Sequence, residues 1–164
     1  MQGSGNVVVE SREVAGFREI ALKGSGTCLV TQGDAESLAV EAEDNLLPAI
    51  RTEVRDGRLT LDYERGPFGS ILPTRPIRFH VTAKALTALH LGGSGAIEMA
   101  SLATDRLESG EAQVSVSGSG RARLHVTATL GVRIAGSGSV EYAGDPRVSQ
   151  TRLGSGTVRR LVGA

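Results

Sequence analysis

Apolar and polar residues alternate on both sides of a Gly-Ser-Gly triplet that occurs six times in this chain of 164 residues. The residue two places after each triplet is apolar, and the residue directly after it is small or polar in five of the six cases. Alternation with a period of two is typical of β-strands that bury one face. The six apolar residues, which we expect to point into the core, are Val7, Cys28, Ile97, Ala122, Val140 and Val158.

The triplets themselves are predicted to be turns, because glycine adopts positive φ and serine can bond its own backbone. The last three start 18 residues apart, at 118, 136 and 154, which indicates a repeat architecture. Leu22, Val116 and Ile134 lie two places before a triplet and continue the inward register, whereas Leu153 breaks it by one residue. The pattern therefore predicts an all-β solenoid whose short coils of about 18 residues turn at Gly-Ser-Gly corners.

Strand patterns also occur between the triplets, and Asp56-Gly57 is a signal for a hairpin turn, so we expect some antiparallel pairing in the N-terminal half. Asp44–Ile50 has the pattern of at most one helical turn, and the segment 66–76 with its three prolines is predicted to project as a loop. The predicted strands are Phe17–Lys23, Cys28–Thr31, Ser37–Ala42, Ile50–Val54, Arg58–Tyr63, Ile77–Thr82, Ala112–Ser117, Arg121–Ala128, Gly131–Ala135, Ser139–Tyr142 and Thr157–Leu161.

The composition is that of one globular domain spanning 1–164, with 40% apolar residues. Eighteen basic residues balance eighteen acidic ones, which gives no support to nucleic-acid binding, and aromatic residues make up only 3% of the chain. No apolar run approaches the roughly 20 residues that a membrane span requires. We therefore expect neither a nucleic-acid partner nor a membrane span in this chain.

Cysteine and histidine provide few candidates for chemistry. Cys28 is the single cysteine, and its inward register predicts a buried, unreactive thiol and not a nucleophile. His80, His90 and His125 each lie between apolar residues, so we expect them to point outward. They would bind a metal only if stacking brought them together, and a solvated face is the favoured interpretation.

Carboxylates occur in two pairs, Glu41 with Glu43 and Glu108 with Glu111. The first pair lies two residues apart on one strand face, which suggests polysaccharide hydrolysis or calcium binding as alternatives. A solubilising exposed face is the favoured interpretation of both. The triplets lack the Gly-Lys-Ser/Thr and the helix of a phosphate-binding loop. We therefore predict no catalytic, cofactor-binding or metal-ligating residue and no cofactor. Scattered arginines are predicted to protect the open end of the solenoid, or alternatively to contact an anionic surface, and these are Arg147, Arg152, Arg159 and Arg160.

Three segments, together with the closely spaced triplets from Gly93 onward, resemble the GIN-domain family, the putative auto-transporter adhesin heads of bacteria. They are Phe17–Ile20 leading into Gly24-Ser25-Gly26, Val40–Leu47, and Ile50–Leu59. The resemblance implies a right-handed parallel β-helix and an envelope location, either periplasmic or associated with the outer membrane, or secretion after removal of a signal peptide. It implies no catalytic residues.

The sequence thus favours a non-catalytic adhesion or interaction module with an unknown protein or glycan ligand. One alternative is a scaffold that self-associates into a homo-oligomer, because the open ends of a solenoid expose unpaired backbone groups. Another is a carbohydrate-active β-helix enzyme, and a cytoplasmic location is the alternative to the envelope.

Overall fold

The computed structural model describes residues 1–64, 71–99, 111–126 and 129–161. In these ranges the chain forms fifteen β-strands and one 3₁₀ turn, η1 (Leu47–Ala49). The strands are β1 (Val7–Arg12), β2 (Glu19–Lys23), β3 (Thr27–Gln32), β4 (Ser37–Glu43), β5 (Ile50–Arg55), β6 (Arg58–Tyr63), β7 (Arg78–Ala83), β8 (Ala88–Gly93), β9 (Ala96–Met99), β10 (Glu111–Gly118), β11 (Arg121–His125), β12 (Thr129–Gly136), β13 (Ser139–Ala143), β14 (Arg147–Leu153) and β15 (Thr157–Arg160).

The strands form two mixed sheets. The first has the order β1-β4-β7-β3-β9-β11-β13-β15, and the second has the order β14-β12-β10-β8-β2-β6-β5. In the first sheet the strands β7-β3-β9-β11-β13-β15 pair in parallel, and in the second sheet the strands β6-β2-β8-β10-β12-β14 do so. Antiparallel pairs join β1 to β4, β4 to β7 and β5 to β6. The all-β class and the antiparallel pairing in the N-terminal half are therefore confirmed.

Each Gly-Ser-Gly corner from Gly24 onward carries the chain from a strand of the second sheet to a strand of the first. In the last layers the paired residues lie 18 positions apart: Gly118 pairs with Gly136 in one sheet, and Arg121 pairs with Ser139 in the other. Gly93 pairs with Gly118, so the earlier layers stack on the same corners although their connecting segments are longer. The 18-residue period of the triplets is therefore the sequence distance between paired residues in the last layers.

The core lies between the two sheets, and the residues after the corners form a single column in it. These residues are register partners on neighbouring strands of the first sheet, in the order Cys28, Ile97, Ala122, Val140 and Val158. The first four of these side chains are fully buried, and Val158 packs partly buried against the core. The inward register predicted for them is confirmed. Leu22, Val116 and Ile134, which precede the corners, are also buried, as predicted.

The prediction for Val7 is wrong. Val7 is 39% exposed and pairs with Glu43 on the neighbouring antiparallel strand, while Val8 packs against the core instead. The reason is that the first triplet does not connect the two sheets. The N–H of Gly3 donates to the carbonyl of Leu72 at 2.9 Å, and the chain then enters β1 at the edge of the first sheet.

The smaller predicted elements have mixed outcomes. Asp56 and Gly57 both adopt positive φ in the hairpin between β5 and β6, and η1 is the predicted helical turn. Leu153 is 66% exposed, because Arg152 takes the inward register opposite a buried residue of β12. Of the predicted projecting loop, 66–70 lies outside the described residues, and 71–76 runs beside the N-terminal segment. Among the described residues, no helix has the length and hydropathy to span a membrane.

Candidate interaction surfaces

The corners stack into a ridge of small residues along one edge of the molecule. The first glycine of each corner from Gly24 onward has a positive φ, and from Gly93 onward an added Cβ would meet the corner beside it. A Cβ on Gly118 would lie 2.7 Å from the carbonyl oxygen of Gly93, and one on Gly136 would lie 2.6 Å from that of Gly118. Glycine is therefore required at these positions. Between the glycines, exposed serines follow one another along the ridge at Ser25, Ser94, Ser119, Ser137 and Ser155.

Tyr63 covers the first corner of this ridge. Its ring lies 2.7 Å from the place that a Cβ on Gly24 would occupy, and its hydroxyl donates to the carbonyl of Ser25. The ring also tilts against Phe79, with 6.5 Å between the ring centroids. Burial raises the pKa of Tyr63 to about 12, so the phenol stays neutral at physiological pH. On this side, an aromatic ring occupies the position where a further corner would stack.

Among the shallow grooves on the described outer surface, two lie next to the features described above or carry many charges. One of about 480 Å³ runs between the first two corners and Pro73–Ile77. The other, of about 470 Å³, lies on the outer face of β2, β5 and β6 and is lined mainly by charged side chains. Four basic and four acidic side chains line it, so the groove offers no concentrated field of one sign. Ion pairs join Arg51 to Glu64, Arg55 to Glu53 and Arg58 to Glu19, each at 3.1 Å.

The three histidines lie on different strands and partly face solvent. His80 Nε2 lies 2.9 Å from a carboxylate oxygen of Glu41, and this hydrogen bond is the main cause that lowers the pKa of Glu41. His90 lies in the other sheet, 3.7 Å from Glu19, and His125 is at the end of β11. The structure does not bring the three together. Within the described ranges, His, Cys, Asp and Glu side chains form no group of three or more that is placed to hold a metal.

Of the carboxylate pair Glu41 and Glu43, the second residue is not exposed. The prediction of a solvated face is therefore wrong for Glu43. Glu43 is fully buried and accepts hydrogen bonds from the N–H of Gly5 at 2.7 Å and from the N–H and hydroxyl of Thr74. The physical reason is that 71–76 and the N-terminal segment fold over the end of β4 and supply donors. Glu108 and the side chain of Glu111 lie outside the described residues.

Cys28 lies in the middle of the core column, where the sequence placed it. The side chain is fully buried, and burial raises the pKa of its thiol to about 12. At neutral pH the thiolate, which is the reactive form, is therefore almost absent. The structure supports a packing role for this residue.

Both ends of the core carry polar side chains in the inward register. On β1, Glu10 and Arg12 pair with buried apolar residues of β4. On β14, Gln150 and Arg152 pair with buried apolar residues of β12, and on β15 Arg160 pairs with Tyr142. Inward-pointing charges on an edge strand oppose the addition of another strand. The structure places the four arginines that the sequence singled out on these last strands, all exposed, at Arg147, Arg152, Arg159 and Arg160.

Arg12 closes the core at the β1 end. Its guanidinium reaches across from the first sheet and donates to the carbonyls of Ile50 at 2.6 Å and Leu47 at 2.9 Å. Its Nε also pairs with Glu10 at 2.8 Å. The N–H groups of this guanidinium therefore provide hydrogen bonds to backbone carbonyls of η1 and β5 that would otherwise face the end of the core without a donor.

Comparison with known proteins places the chain in a family. A family profile described as "Putative auto-transporter adhesin, head GIN domain" matches residues 16–110 and 100–146. The chain belongs to this family. Comparison with curated protein sequences gives no match.

Solved structures share the fold of this GIN domain at low sequence identity. A putative adhesin from Bacteroides fragilis is 16% identical, with a TM-score of 0.54, and the alignment covers 98% of this chain and 100% of that one. A putative cell adhesion protein from Clostridium sporogenes is 13% identical, with a TM-score of 0.55 over 95% and 99% of the two chains. At these identities the likeness shows the fold alone.

Residues 43–45 hold the N-terminal segment 4–6 through hydrogen bonds, and we call this arrangement the clasp. It lies within Val40–Leu47, a segment that carries the GIN-domain resemblance, and it was not predicted from the sequence. Beside the buried Glu43, Asp44 accepts hydrogen bonds from the Ser4 hydroxyl and the Asn6 side chain, and these bonds lower the pKa of its carboxyl. The side-chain oxygen of Asn45 accepts the N–H of Ser4 at 2.9 Å. The first triplet is therefore part of this clasp. The one signal in the sequence was the run of three polar residues directly after the alternating strand.

Proposed function

We propose that this GIN domain is a non-catalytic adhesion or interaction module of the bacterial cell envelope or of a secreted protein, with a protein or glycan ligand. The observation that carries the proposal is the family match over 16–146, to the head domain of auto-transporter adhesins. The arrangement of the described side chains supports it, because charged groups lie in pairs on open sheet faces. Such faces suit contact over an area more than the enclosure of a small substrate.

We also propose that 1–164 is a single domain whose parallel layers wind as a right-handed β-helix. Repeated passage from one sheet to the other through a stacked corner supports the coil. The handedness follows from the general rule that crossovers between parallel strands are right-handed in about 98% of cases. A rigid coil of this kind would hold the side chains of its outer faces at fixed spacing, which favours recognition of a repeating ligand.

A carbohydrate-active enzyme is less well supported than an adhesin. The pair that suggested it requires two accessible carboxylates, and Glu43 is buried beneath Thr74. Glu41 is engaged by Arg78 at 3.2 Å and by His80 at 2.9 Å on the outer face of the first sheet. Neither carboxylate is therefore free to act as a general acid on a bound sugar.

A self-associating scaffold is the second alternative. Stacking of copies end to end would bring the inward-register charges of Arg12 and Arg152 against another core end, at a desolvation cost. Association through the flat outer faces would avoid that cost and would give dimers or trimers. Sedimentation of the purified domain at high concentration separates these cases, and a strict monomer excludes the scaffold.

Binding is tested with the purified domain on arrays of glycans and matrix proteins and on intact bacterial and host cells. An adhesion module should bind at least one class of surface in a saturable way. The domain carrying Val140→Asp, which places a charge in the core, is the control for binding by unfolded chain. Saturable binding of the native domain alone supports the proposal, and absence of binding to every surface contradicts it.

Location is tested separately, by immunoblot of cell fractions from the source bacterium. An envelope or secreted module should be recovered from the envelope fraction or the medium. Recovery from the cytoplasm alone would contradict the adhesion proposal.

A further inference from the structure

The zero net charge of the chain hides a separation of charge along the molecule. Residues 1–64 contain six basic and twelve acidic side chains, a net charge of −6, whereas 121–161 contain seven arginines and two acidic residues, a net charge of +5. The two segments lie toward opposite ends of the sheets, since β1 and β5 are the edge strands at one end and β15 and β14 at the other. The end formed by the last layers is therefore cationic.

Three of these arginines share one surface, which we call the arginine face: Arg121, Arg123 and Arg159, on the outer side of β11 and β15. Arg123 pairs in register with Glu141 on β13, which pairs in turn with Arg159. Arg123 Nη2 lies 3.3 Å from one oxygen of Glu141, and Arg121 Nε lies 3.8 Å from the other. One carboxylate, with a side chain only 13% exposed, thus lies between two guanidinium groups, and Arg159 follows on the next strand.

The guanidinium groups remain open to a ligand. The side chains of Arg121 and Arg123 are 63% and 50% exposed, and Arg159 is exposed as well. Two strand spacings separate the backbones of Arg123 and Arg159, about 10 Å. At this spacing a single small anion would not contact Arg123 and Arg159 at once. Several contacts at once require a chain that carries repeated anionic groups.

The chemistry of the face favours sugars over nucleic acid as the backbone of that chain. Tyr142 is the one aromatic residue in 121–161, and it is partly buried against the core. The face therefore lacks the stacking platforms on which proteins hold single-stranded bases. A flat row of arginines at strand spacing can instead pair with carboxylate or sulfate groups along an extended polymer.

We propose that the arginine face binds a linear acidic polysaccharide, with Arg121, Arg123 and Arg159 as the contacting residues. The inference rests on the proposed adhesion function and names its ligand class. Together with the arginines on β14 and β15, the arginine face gives the neutral molecule an end that attracts polyanions. Because the contacts are exposed ion pairs, binding weakens as salt screens them.

The test measures binding of the full chain to polygalacturonate and to heparin in 50 mM and 500 mM salt, with neutral dextran as the uncharged control. The variant R121Q/R123Q/R159Q removes the three charges at exposed positions. The matched control, R51Q/R55Q/R58Q, removes three exposed arginines at the acidic end. We expect the first variant to lose about tenfold in affinity for the acidic polymers at low salt, the control to lose little, and dextran not to bind.

Four binding results would each overturn the inference. They are absence of binding to both acidic polymers at low salt, equal loss in the two variants, tighter binding to double-stranded DNA, and tighter binding to phosphatidylglycerol vesicles. Concentration-dependent self-association that is lost in R121Q/R123Q/R159Q would also overturn it, because the arginines would then serve a second copy. A different outcome is that the domain binds cells, with no loss in R121Q/R123Q/R159Q, while it does not bind the acidic polymers. That combination would support the adhesion function and exclude this ligand class.

Discussion

Val140 and Ser139 are neighbours in β13 with opposite surroundings. Val140 is fully buried in the core column, and Ser139 lies on the outer face beside Arg121. We expect Val140→Asp to lower the free energy of unfolding by about 3 kcal/mol or more, because it places an unpaired charge in an apolar core. Ser139→Asp should change it by no more than about 0.5 kcal/mol.

Urea denaturation of the two variants measures the difference. Both variants introduce the same residue at adjacent positions, so the change in net charge cancels between them. Equal destabilisation at 139 and 140 would show that the register of β13 is misassigned.

Glu43 gives the fold a specific sensitivity to acid. The hydrogen bond from the Thr74 hydroxyl lowers the pKa of the Glu43 carboxyl most, burial opposes this, and N–H groups of Thr74, Gly5 and Arg75 lower it further. A carboxyl whose pKa is lower in the folded state stabilises the fold above its unfolded pKa of about 4.3, and this contribution is lost as pH falls through the folded value. We expect Tm to fall below about pH 4.3 in the native chain.

Glu43→Gln separates this contribution from other acid effects. The neutral amide presents an NH₂ group to donors, so the variant should have a lower Tm near pH 7 and a flatter decline of Tm between pH 5 and pH 3. Thermal unfolding followed by circular dichroism over that range measures both. Glu53→Gln, at an exposed position on β5, is the control and should follow the native profile. A profile for Glu43→Gln parallel to the native one would contradict the role of the clasp.

Corner glycines give a prediction at the scale of the repeating element. Gly93 has φ +96°, and an added Cβ would lie 2.9 Å from backbone atoms of Gly24, whereas one on Gly92 would have its nearest contact at 3.9 Å. Gly93→Ala should lower the free energy of unfolding by about 2 kcal/mol or more, because both the φ and the close approach disfavour a side chain. Gly92→Ala should cost less than about 1 kcal/mol. Chemical denaturation of both variants tests this, and similar losses would argue against close stacking of the corners.

The elements around the corners were predictable because two local signals agree there. Glycine fixes the turn, and the alternation on either side fixes which face is buried, so strands such as β6, β10 and β13 followed from the sequence. β1, β8, β9 and β14 lie outside the predicted strand ranges. In β1 a run of three valines hides the alternation, and in β14 polar residues occupy the inward positions, so the usual contrast between faces is absent.

The clasp was less predictable than the strands, since its contacts join distant parts of the chain. Glu43 reads as the last outward residue of an alternating strand, and its burial depends on Gly5 and Thr74, which lie 38 and 31 residues away. No local pattern encodes such a contact. The arginine face has the same property, because only the stacking of three layers places Arg123 and Arg159 on one surface.

At the scale of the whole molecule, the polar residues at the β14 end keep the domain from adding strands. Gln150→Val with Arg152→Ile would continue the apolar rows of β12 onto the edge strand, where Gln150 and Arg152 now face inward. We expect this variant to associate in a concentration-dependent way, because its edge would accept another strand. Light scattering after size exclusion measures the change. Ser149→Val with Thr151→Ile, on the outer face of the same strand, adds comparable apolar area and should associate less.

Tyr63 has a consequence for how such proteins can change length. Its ring occupies the position where a further corner would stack on Gly24, so the column of turns has a fixed beginning. The final layers share a period of 18 residues, so a duplicated copy of 129–146 inserted before Arg147 would keep every inward side chain in phase. Each such duplication would lengthen the molecule by one strand spacing, about 4.8 Å. Gene duplication could thus extend the distance over which the domain reaches its target without redesigning either end.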